Sequence, residues 1–267
     1  MSLFDYDHHT PLDLRSVRTK RGDGITRELF TYATPFGYRR ASEIIRPEND
    51  ARAAAILYVH WLEAESPDSN RTQFIGEAEL MAKRGAVAFL IETMWSDRDW
   101  FIKRTQADDY ENSRRQVIEL RQALDLLLAQ PGVDRNRVAY IGHDFGAMYG
   151  VALGSVDPRA TCYALMAGTP RFPDWYLYYP NLEGTARAEF IAQMTPLDPI
   201  NNVAKLSPAP ILFQFATEDR FVSKERAQEF FDAAREPKEL RWYAAGHALN
   251  QDATHERVEW VTRQFQL

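Results

Sequence analysis

Three residues whose types suit nucleophilic catalysis follow one another in this 267-residue chain. Asp144 lies at the centre of a Gly-His-Asp-Phe-Gly motif at 142–146, and Asp219 and His247 come later in the sequence. A carboxylate can attack an electrophilic carbon, and a histidine that a second carboxylate orients can then activate a water molecule. The order of these residues predicts a nucleophile at Asp144, an acid at Asp219 and a general base at His247.

The motif at 142–146 has the frame of a nucleophile elbow, a tight strand-to-helix turn that presents its middle side chain above a parallel sheet. An apolar run precedes the motif, and a helical pattern of small residues follows it. We expect a Cβ atom at Gly142 or Gly146 to collide with a neighbouring strand or helix, which explains both glycines. Ser is the usual residue at the middle position, so Asp144 decides which reaction the site can perform.

Alternating strand and helix patterns must bring these distant residues together. Uninterrupted apolar runs are typical of strands that are buried on both faces. Their alternation with helical patterns predicts an α/β fold with a doubly wound, mostly parallel sheet of about eight strands. An antiparallel hairpin of Ile25–Thr34 and Tyr38–Arg46 is expected to open this sheet. The later strands are expected at Ala53–His60, Ala86–Ile91, Ala160–Ala167, Ile211–Ala216 and Glu239–Ala244, and the helices at Gln73–Arg84, Tyr110–Gln130, Phe145–Val156, Lys224–Ala234 and Ala253–Gln264.

We expect residues 1–267 to form a single domain. Residues 1–23 are polar and mixed in type, which favours an irregular N-terminal arm. Residues 168–209 interrupt the strand and helix rhythm with prolines, a run of aromatic residues and one helical pattern near Thr185–Met194. We interpret this segment as a short lid insertion across the top of the sheet.

Ligands of open parallel sheets bind beyond the carboxyl ends of the strands, so the residues that follow each strand form the candidate site. Backbone N–H donors to an oxyanion are expected from Phe145 and from Trp61 or Leu62, which follow the first buried strand. Glu92 and His143 could instead have structural packing roles. The aromatic residues of the insertion could instead form a hydrophobic cover over the site. The candidate substrate pocket consists of His60, Glu92, His143, Trp175, Tyr178 and Tyr179.

The three motifs in this order resemble those of the α/β-hydrolase superfamily, and in particular its dienelactone hydrolase and prolyl-oligopeptidase-like branch. The resemblance is carried by 142–146, by Phe215–Val222 around the acid and by Ala245–His247, and it covers roughly residues 25–265. It implies the α/β-hydrolase fold and a cofactor-free hydrolase of a small, partly apolar substrate. The chain departs from the family pattern at Trp61, where a glycine is usual, and at Asp144.

Asp144 suits displacement at saturated carbon better than attack on an ester. Attack on an ester gives a mixed anhydride, which lies higher in energy than the substrate, whereas displacement of a halide or opening of an epoxide gives an alkyl ester. Water activated by His247 would then hydrolyse that alkyl ester. The elbow resembles those of haloalkane and fluoroacetate dehalogenases and epoxide hydrolases, although their helical cap is usually longer than 168–209. Candidate donors to the leaving group are the indole of Trp61 and the phenols of Tyr176, Tyr178 and Tyr179.

Three interpretations of Asp144 therefore stay open. In the first, Asp144 is a working nucleophile. In the second, the protein keeps the fold and binds a ligand without catalysis. In the third, the chain is an esterase or lactonase similar to dienelactone hydrolases, in which Asp replaces the elbow Ser.

Composition argues against several classes of partner. A net charge of −6 and a pI near 5.6 disfavour nucleic acid and anionic membranes, and no stretch reaches the ~18–20 apolar residues of a membrane span. The only cysteine, Cys162, lies in an apolar run and is expected to be a buried small hydrophobe. The sequence shows no signal peptide, phosphate loop or metal-ligand spacing. We expect a cytoplasmic enzyme with a small-molecule substrate and no cofactor or metal, and the oligomeric state stays open.

Overall fold

The computed structural model describes residues 3–49 and 51–267. Within these residues the strands are β1 Arg15–Gly22, β2 Ile25–Ala33, β3 Arg39–Pro47, β4 Ala53–Val59, β5 Ala86–Ile91, β6 Val133–His143, β7 Cys162–Met166, β8 Ile211–Ala216 and β9 Lys238–Tyr243. They form one nine-stranded sheet in the order β1-β2-β3-β5-β4-β6-β7-β8-β9. Pairing is antiparallel from β1 through β3 to β5 and parallel among β4 to β9. The predicted α/β fold with a mostly parallel sheet is confirmed, with nine strands in place of about eight.

Helices cover both faces of this sheet. They are α1 Ile75–Lys83, α2 Trp100–Lys103, α3 Gln106–Leu128, α4 Phe145–Gly154, α5 Pro173–Tyr176, α6 Gly184–Met194, α7 Pro199–Asn202, α8 Lys224–Ala233 and α9 Gln251–Phe265. One buried apolar cluster lies between the sheet and α3, α4 and α8, and another lies between the sheet and α1 and α9. Along β4, Leu57 and Val59 belong to the first cluster, and Ile56 and Tyr58 belong to the second. A strand buried on both faces is what its uninterrupted apolar run predicts.

The strand order reverses at β4, because β5 lies on one side of it and β6 lies on the other. Ligands of open α/β sheets bind at such a reversal, beyond the carboxyl ends of the strands. The chain leaves the carboxyl ends of β4, β6, β8 and β9 through the segments that contain Trp61, Asp144, Asp219 and His247. The topology therefore brings the candidate residues to one edge of the sheet.

The irregular arm predicted for residues 1–23 is wrong for Arg15–Gly22, which forms the edge strand β1. It pairs with β2, and the turn that connects the two strands consists of Asp23 and Gly24, whose φ angles are 54° and 76°. Two successive positive φ angles are typical of the tight type I′ hairpin turn, and Asp-Gly is a typical sequence for it. Every side chain of β1 is exposed, so its sequence lacks the alternation of apolar and polar residues that predicts a strand. The Asp-Gly turn is the remaining sequence signal for this hairpin.

The insertion at 168–209 contains more helix than the sequence predicts. The predicted helical piece corresponds to α6, and α5 and α7 are additional short helices. Arg104 anchors the insertion to the start of α3, because its guanidinium donates to the carbonyls of Tyr176 and Tyr179 and pairs with Asp109. The same guanidinium lies over the rings of Phe101 and Tyr176, at 4.7 and 4.8 Å from their centroids.

Cys162 is a free cysteine in β7 with 1% of its surface exposed. Burial raises the pKa of its thiol, so the side chain acts as an apolar packing residue, as expected. Among the helices of the described residues, none has the combination of length and apolarity that crossing a bilayer requires.

Candidate active site

Asp144 lies at the tip of a strained turn between β6 and α4. Its backbone angles are φ 54° and ψ −115°, and its N–H donates to the carbonyl of Met166 at 2.8 Å. A Cβ atom at Gly142 would lie 2.3 Å from the carbonyl oxygen of Gly146, and one at Gly146 would lie 2.1 Å from that of Val59. The close backbone approach on both sides requires the two glycines, as the sequence predicts. Such strain persists where the surroundings over-determine it, which is common at functional sites.

His247 and Asp219 form a hydrogen-bonded pair at the same edge of the sheet. His247 Nδ1 lies 2.8 Å from Asp219 Oδ2, and the N–H groups of Phe221 and Val222 donate to Asp219 Oδ1 at 2.8 and 3.1 Å. An ionised carboxylate only accepts hydrogen bonds, so neutral His247 carries its proton on Nδ1. Its Nε2 is buried and has no hydrogen-bond partner among the described residues. This arrangement leaves Nε2 ready to accept a proton, as a general base must.

The carboxyl group of Asp144 is almost completely buried, since the residue is 2% exposed. Burial raises the pKa of Asp144 to about 7, and nearby Asp219 adds to this rise. The charge of His247 and the backbone N–H groups of Phe145 and Leu62 act in the opposite direction. In the described part of the chain Asp144 Oδ1, like His247 Nε2, has no hydrogen-bond partner. Buried polar atoms usually have a hydrogen-bond partner, so these two atoms mark the candidate site.

The pKa of His247 lies above its usual value, although burial by itself lowers it. The hydrogen bond to Asp219 and the negative charges of Asp144, Asp219 and Glu63 raise the pKa and together exceed the effect of burial. The proton affinity of His247 therefore depends on the charge of Asp144. A reaction that removes that charge makes His247 easier to deprotonate.

Phe145 and Leu62 supply the N–H groups of a candidate oxyanion hole. Both N–H groups lower the pKa of Asp144, because donors that point towards a carboxylate favour its charged form. Phe145 is also the first residue of α4, whose N-terminus adds positive potential at this point. The N–H of Trp61 is occupied elsewhere, because it donates to Gln73 Oε1 at 3.3 Å. We call the segment at 60–62 the β4 loop. Of its two predicted oxyanion donors, the N–H of Leu62 lies at the site, and the prediction for the N–H of Trp61 is wrong.

Aromatic rings close over His247. The rings of Trp61, Trp175 and Phe221 lie 5.1, 5.8 and 5.3 Å from the imidazole, between centroids. Five surface depressions of about 330 to 900 Å³ are lined by other parts of the described chain, and none of the five includes Asp144 or His247. The predicted pocket residue Trp175 is thus at the site, where it forms part of the aromatic cover beside His247.

His60 does not line a pocket, which corrects the sequence prediction. Its Nδ1 lies 2.8 Å from the carbonyl oxygen of Trp61, and its Nε2 lies 3.0 Å from the hydroxyl oxygens of Thr93 and Ser96. Burial lowers its pKa to about 4, so the ring is neutral at physiological pH. His60 therefore supports the β4 loop and does not face a substrate.

Glu92, Tyr178 and Tyr179 also lie outside the site, against the prediction. The carboxylate of Glu92 accepts from the N–H of Ala41 at 2.6 Å, which gives it a structural role next to β3. The side chains of Tyr178 and Tyr179 are 70% and 52% exposed. Helix α5 ends at Tyr176, and the chain that follows carries both tyrosines to the surface.

The phenols that were predicted to donate to a leaving group do not lie at the site. The hydroxyl of Tyr176 lies 2.6 Å from that of Tyr149 and 3.2 Å from Ser113 Oγ, within the core below the insertion. None of the three predicted phenols therefore faces Asp144. The indole nitrogen of Trp175 is buried and lacks a hydrogen-bond partner within the described residues. Trp175 is thus the donor candidate that sequence reasoning did not identify in this role.

His143 lies behind the elbow with 0% of its surface exposed, so it has the packing role and not the pocket role. Its Nδ1 lies 2.6 Å from Gln73 Nε2, and its Nε2 lies 2.9 Å from the carbonyl oxygen of His247. Sequence reasoning missed Gln73, which it treats only as the first residue of a helix. No local pattern reports this contact, because the two residues are 70 positions apart.

Metal-binding side chains are not gathered at this site. In the described residues, no three or more His, Cys, Asp or Glu side chains lie together as the ligands of a metal ion would.

A model of the dienelactone hydrolase family matches residues 96–263, which include the elbow, the acid and the histidine. No curated protein matches the chain. Among solved structures, an acetyl xylan esterase from a Paenibacillus species is 15% identical, with a TM-score of 0.76 across 95% of this chain and 89% of that chain. Acetyl xylan esterase 1 from a Thermoanaerobacterium species is 12% identical, with a TM-score of 0.75 across 94% of this chain and 88% of that chain.

A cold-adapted esterase from an Arctic intertidal metagenomic library has the same fold. It is 16% identical, with a TM-score of 0.64 across 92% of this chain and 96% of that chain. At these identities the three structures support the fold and leave the substrate undetermined.

Proposed function

This chain belongs to the dienelactone hydrolase family and is a hydrolase, and from that premise we propose that Asp144 is its nucleophile. In this proposal the enzyme needs no cofactor and acts on a small, partly apolar substrate with a leaving group on saturated carbon. The observation that carries the proposal is the buried carboxylate on the strained elbow beside His247, with one unpartnered atom on each side chain among the described residues. We include in it a cytoplasmic location and a single functional domain over 1–267.

In the first step, an oxygen of Asp144 forms a bond to the saturated carbon as the bond from that carbon to the leaving group breaks. The electron pair of the broken bond departs with the leaving group, and the product is an alkyl ester of Asp144. Trp175 supports this step, because its buried indole N–H has no partner in the described chain and its ring lies 5.8 Å from that of His247. An indole N–H can donate to a departing anion.

In the second step, His247 Nε2 takes a proton from water, and the oxygen of that water attacks the carbonyl carbon of the Asp144 ester. The N–H groups of Phe145 and Leu62 stabilise the resulting oxyanion. When it collapses, protonated His247 gives its proton to the departing alcohol oxygen, and the carboxyl group left on Asp144 releases the second proton of the water and is a carboxylate again. Alkylation has by then removed the Asp144 charge that helps to keep the pKa of His247 high. His247 is therefore more easily neutral when it has to act as a base.

The position of the phenols favours a carbon–halogen bond over an epoxide. Opening of an epoxide needs an acid to protonate the ring oxygen. The phenol of Tyr176 is held in the core by Tyr149 and Ser113, and those of Tyr178 and Tyr179 are exposed. A halide leaves as an anion and needs only a hydrogen-bond donor.

Replacing His247 by Gln should trap the alkyl ester on Asp144. We expect one equivalent of halide to be released from a primary alkyl bromide, followed by hydrolysis that is slower by about 10²- to 10⁴-fold, because the general base is gone. Intact-protein mass spectrometry should show the mass of the attached alkyl group. His255→Gln is the matched control, since His255 is exposed on α9, and it should turn over like the wild type.

A second candidate function is ligand binding without catalysis. It is favoured by the residue type of Asp144, because the middle position of a nucleophile elbow usually holds Ser in a catalytic hydrolase of this fold. If neither the wild type nor Asp144→Ser turns over alkyl halides, epoxides or activated esters, this second function is the better account. If Asp144→Ser alone cleaves an activated ester, the chain is an esterase or lactonase framework that has lost its Ser.

A further inference from the structure

Two side chains behind the elbow connect the loops of the candidate site. Gln73, just before α1, accepts from the N–H of Trp61 through Oε1 at 3.3 Å, and its Nε2 lies 2.6 Å from His143 Nδ1. His143 Nε2 lies 2.9 Å from the carbonyl oxygen of His247. A continuous chain of three hydrogen bonds therefore runs from the β4 loop through the elbow to the loop that carries the general base.

The carbonyl of His247, which ends this series of hydrogen bonds, fixes the donor and the acceptor of each one. A backbone carbonyl only accepts, so His143 carries its proton on Nε2, and its Nδ1 is an acceptor. Gln73 must then donate from Nε2, which leaves its Oε1 for the N–H of Trp61. Burial lowers the pKa of His143 well below its usual value, and the charge of His247 lowers it further, so the ring keeps this neutral form.

Ring contacts reinforce the chain of hydrogen bonds. The ring of Trp61 stacks on that of His143 at 5.2 Å with an interplanar angle of 14°, and the rings of His143 and His247 lie 5.4 Å apart. Trp61 is thus held at its backbone by Gln73 and at its side chain by His143. Because Leu62 is the next residue, the position of its N–H follows from that of Trp61.

We infer that Gln73 and His143 are a positioning pair, which sets the N–H of Leu62 and the imidazole of His247 relative to each other. The inference rests on the proposed function, because those two groups act together when water attacks the alkyl ester on Asp144. Gln73 and His143 make their hydrogen bonds to the loops and not to the reacting atoms. Above about pH 8, where Asp144 is ionised, their effect therefore falls mainly on the second step.

Gln73→Leu removes both hydrogen bonds of the amide and nearly preserves the volume of the side chain. We expect hydrolysis of the alkyl-enzyme to slow by about 10- to 100-fold, because a displacement of about 1 Å in a positioned group suffices for such a loss. At about pH 9, where Asp144 is ionised in both proteins, the rate of alkylation should stay within about twofold of the wild type. Stopped-flow release of bromide from a primary alkyl bromide measures alkylation, and decay of the alkyl-enzyme in the mass spectrum measures hydrolysis.

A second readout of Gln73→Leu needs no substrate. In the wild type, the ¹⁵N signals of His143 should show a neutral ring with its proton on Nε2 from about pH 6 to about pH 8. In Gln73→Leu, the imidazole signals of His247 and the amide signal of Leu62 should shift together, because both loops lose their common support.

Gln122→Leu is the matched control. Gln122 is 2% exposed in α3, and its Nε2 donates to the carbonyl of Ala33 at 3.2 Å, so this variant also loses a buried amide hydrogen bond. It should lower the melting temperature without changing either rate or shifting the signals of His247 and Leu62.

Two results would overturn the positioning pair. One is hydrolysis of the alkyl-enzyme by Gln73→Leu at the wild-type rate. The other is a spectrum of Gln73→Leu in which the signals of His247 or Leu62 stay in their wild-type places. If the wild type itself forms no alkyl-enzyme, the proposed function fails, and the NMR comparison with Gln122→Leu still decides the positioning pair.

Discussion

Asp144→Asn should abolish turnover of an alkyl halide, with a loss of at least about 10⁴-fold in kcat. The amide of Asn has nearly the shape of the carboxyl group, but its oxygen carries no charge and is a poor nucleophile. Asp144→Ser should not restore this activity, because a serine hydroxyl at the elbow suits acyl carbon and not saturated carbon. Halide release under single-turnover conditions is the measurement.

Asp198→Asn provides a matched control for the loss of a buried carboxyl group. Asp198 is 2% exposed, burial raises its pKa to about 7, and it accepts from the N–H of Phe172 at 2.8 Å. Its burial and pKa thus match those of Asp144, but it lies in the insertion and is not part of the elbow. Halide release by this variant should stay within a few-fold of the wild type, and an equal loss in both variants would contradict the assignment of Asp144.

The pKa of Asp144 gives the first step a pH signature. Burial raises this pKa to about 7, and only the ionised carboxylate is a nucleophile. The alkylation rate should therefore rise with pH until Asp144 is ionised and level off above about pH 7 to 8, with a fall of about tenfold per pH unit on the acid side. A rate that is flat through this range would contradict attack by Asp144.

Arg104→Met should lower the free energy of unfolding by about 3–5 kcal/mol. The side chains of Arg104 and its ion-pair partner Asp109 are each 1% exposed. Without the guanidinium, the buried carboxyl group of Asp109 loses its ion-pair partner, and the carbonyls of Tyr176 and Tyr179 lose their hydrogen-bond donor. Equilibrium unfolding in urea, followed by tryptophan fluorescence, measures the change.

The double variant Arg104→Met with Asp109→Leu is the control for this ion pair. Since it removes both charges, it should recover much of the stability lost by Arg104→Met alone. A single variant that loses less than about 1 kcal/mol would show that the pair does not anchor the insertion.

The centre of the sheet could be predicted from the sequence because burial on both faces leaves an uninterrupted apolar run. The observed bounds of β5 and β8, Ala86–Ile91 and Ile211–Ala216, are those that the runs predict. The position of Asp144, Asp219 and His247 at one edge of the sheet could likewise be predicted, since each of them follows a strand that the sequence predicts. Strand β1 left no such mark, because all of its side chains are exposed.

The lining of the site could not be predicted from residue types alone. The aromatic run at 175–179 gave no indication that Trp175 faces His247 while Tyr178 and Tyr179 face solvent, because a short helix decides these directions. The role of Gln73 depends on contacts with residues that are distant in the sequence, and no periodic pattern encodes them. Prediction therefore succeeded where burial repeats along a strand and failed where one tertiary contact decides.

The central claim is that the carboxylate of Asp144 attacks the substrate, and a single turnover in water labelled with oxygen-18 tests it most directly. Excess enzyme reacts once with a primary alkyl bromide, and mass spectrometry then locates the label in the peptide that contains Asp144 and in the alcohol. The account predicts one labelled oxygen in the carboxyl group of Asp144 and an unlabelled alcohol, because the ester oxygen leaves with the alcohol. Label in the alcohol and none in Asp144 would contradict it.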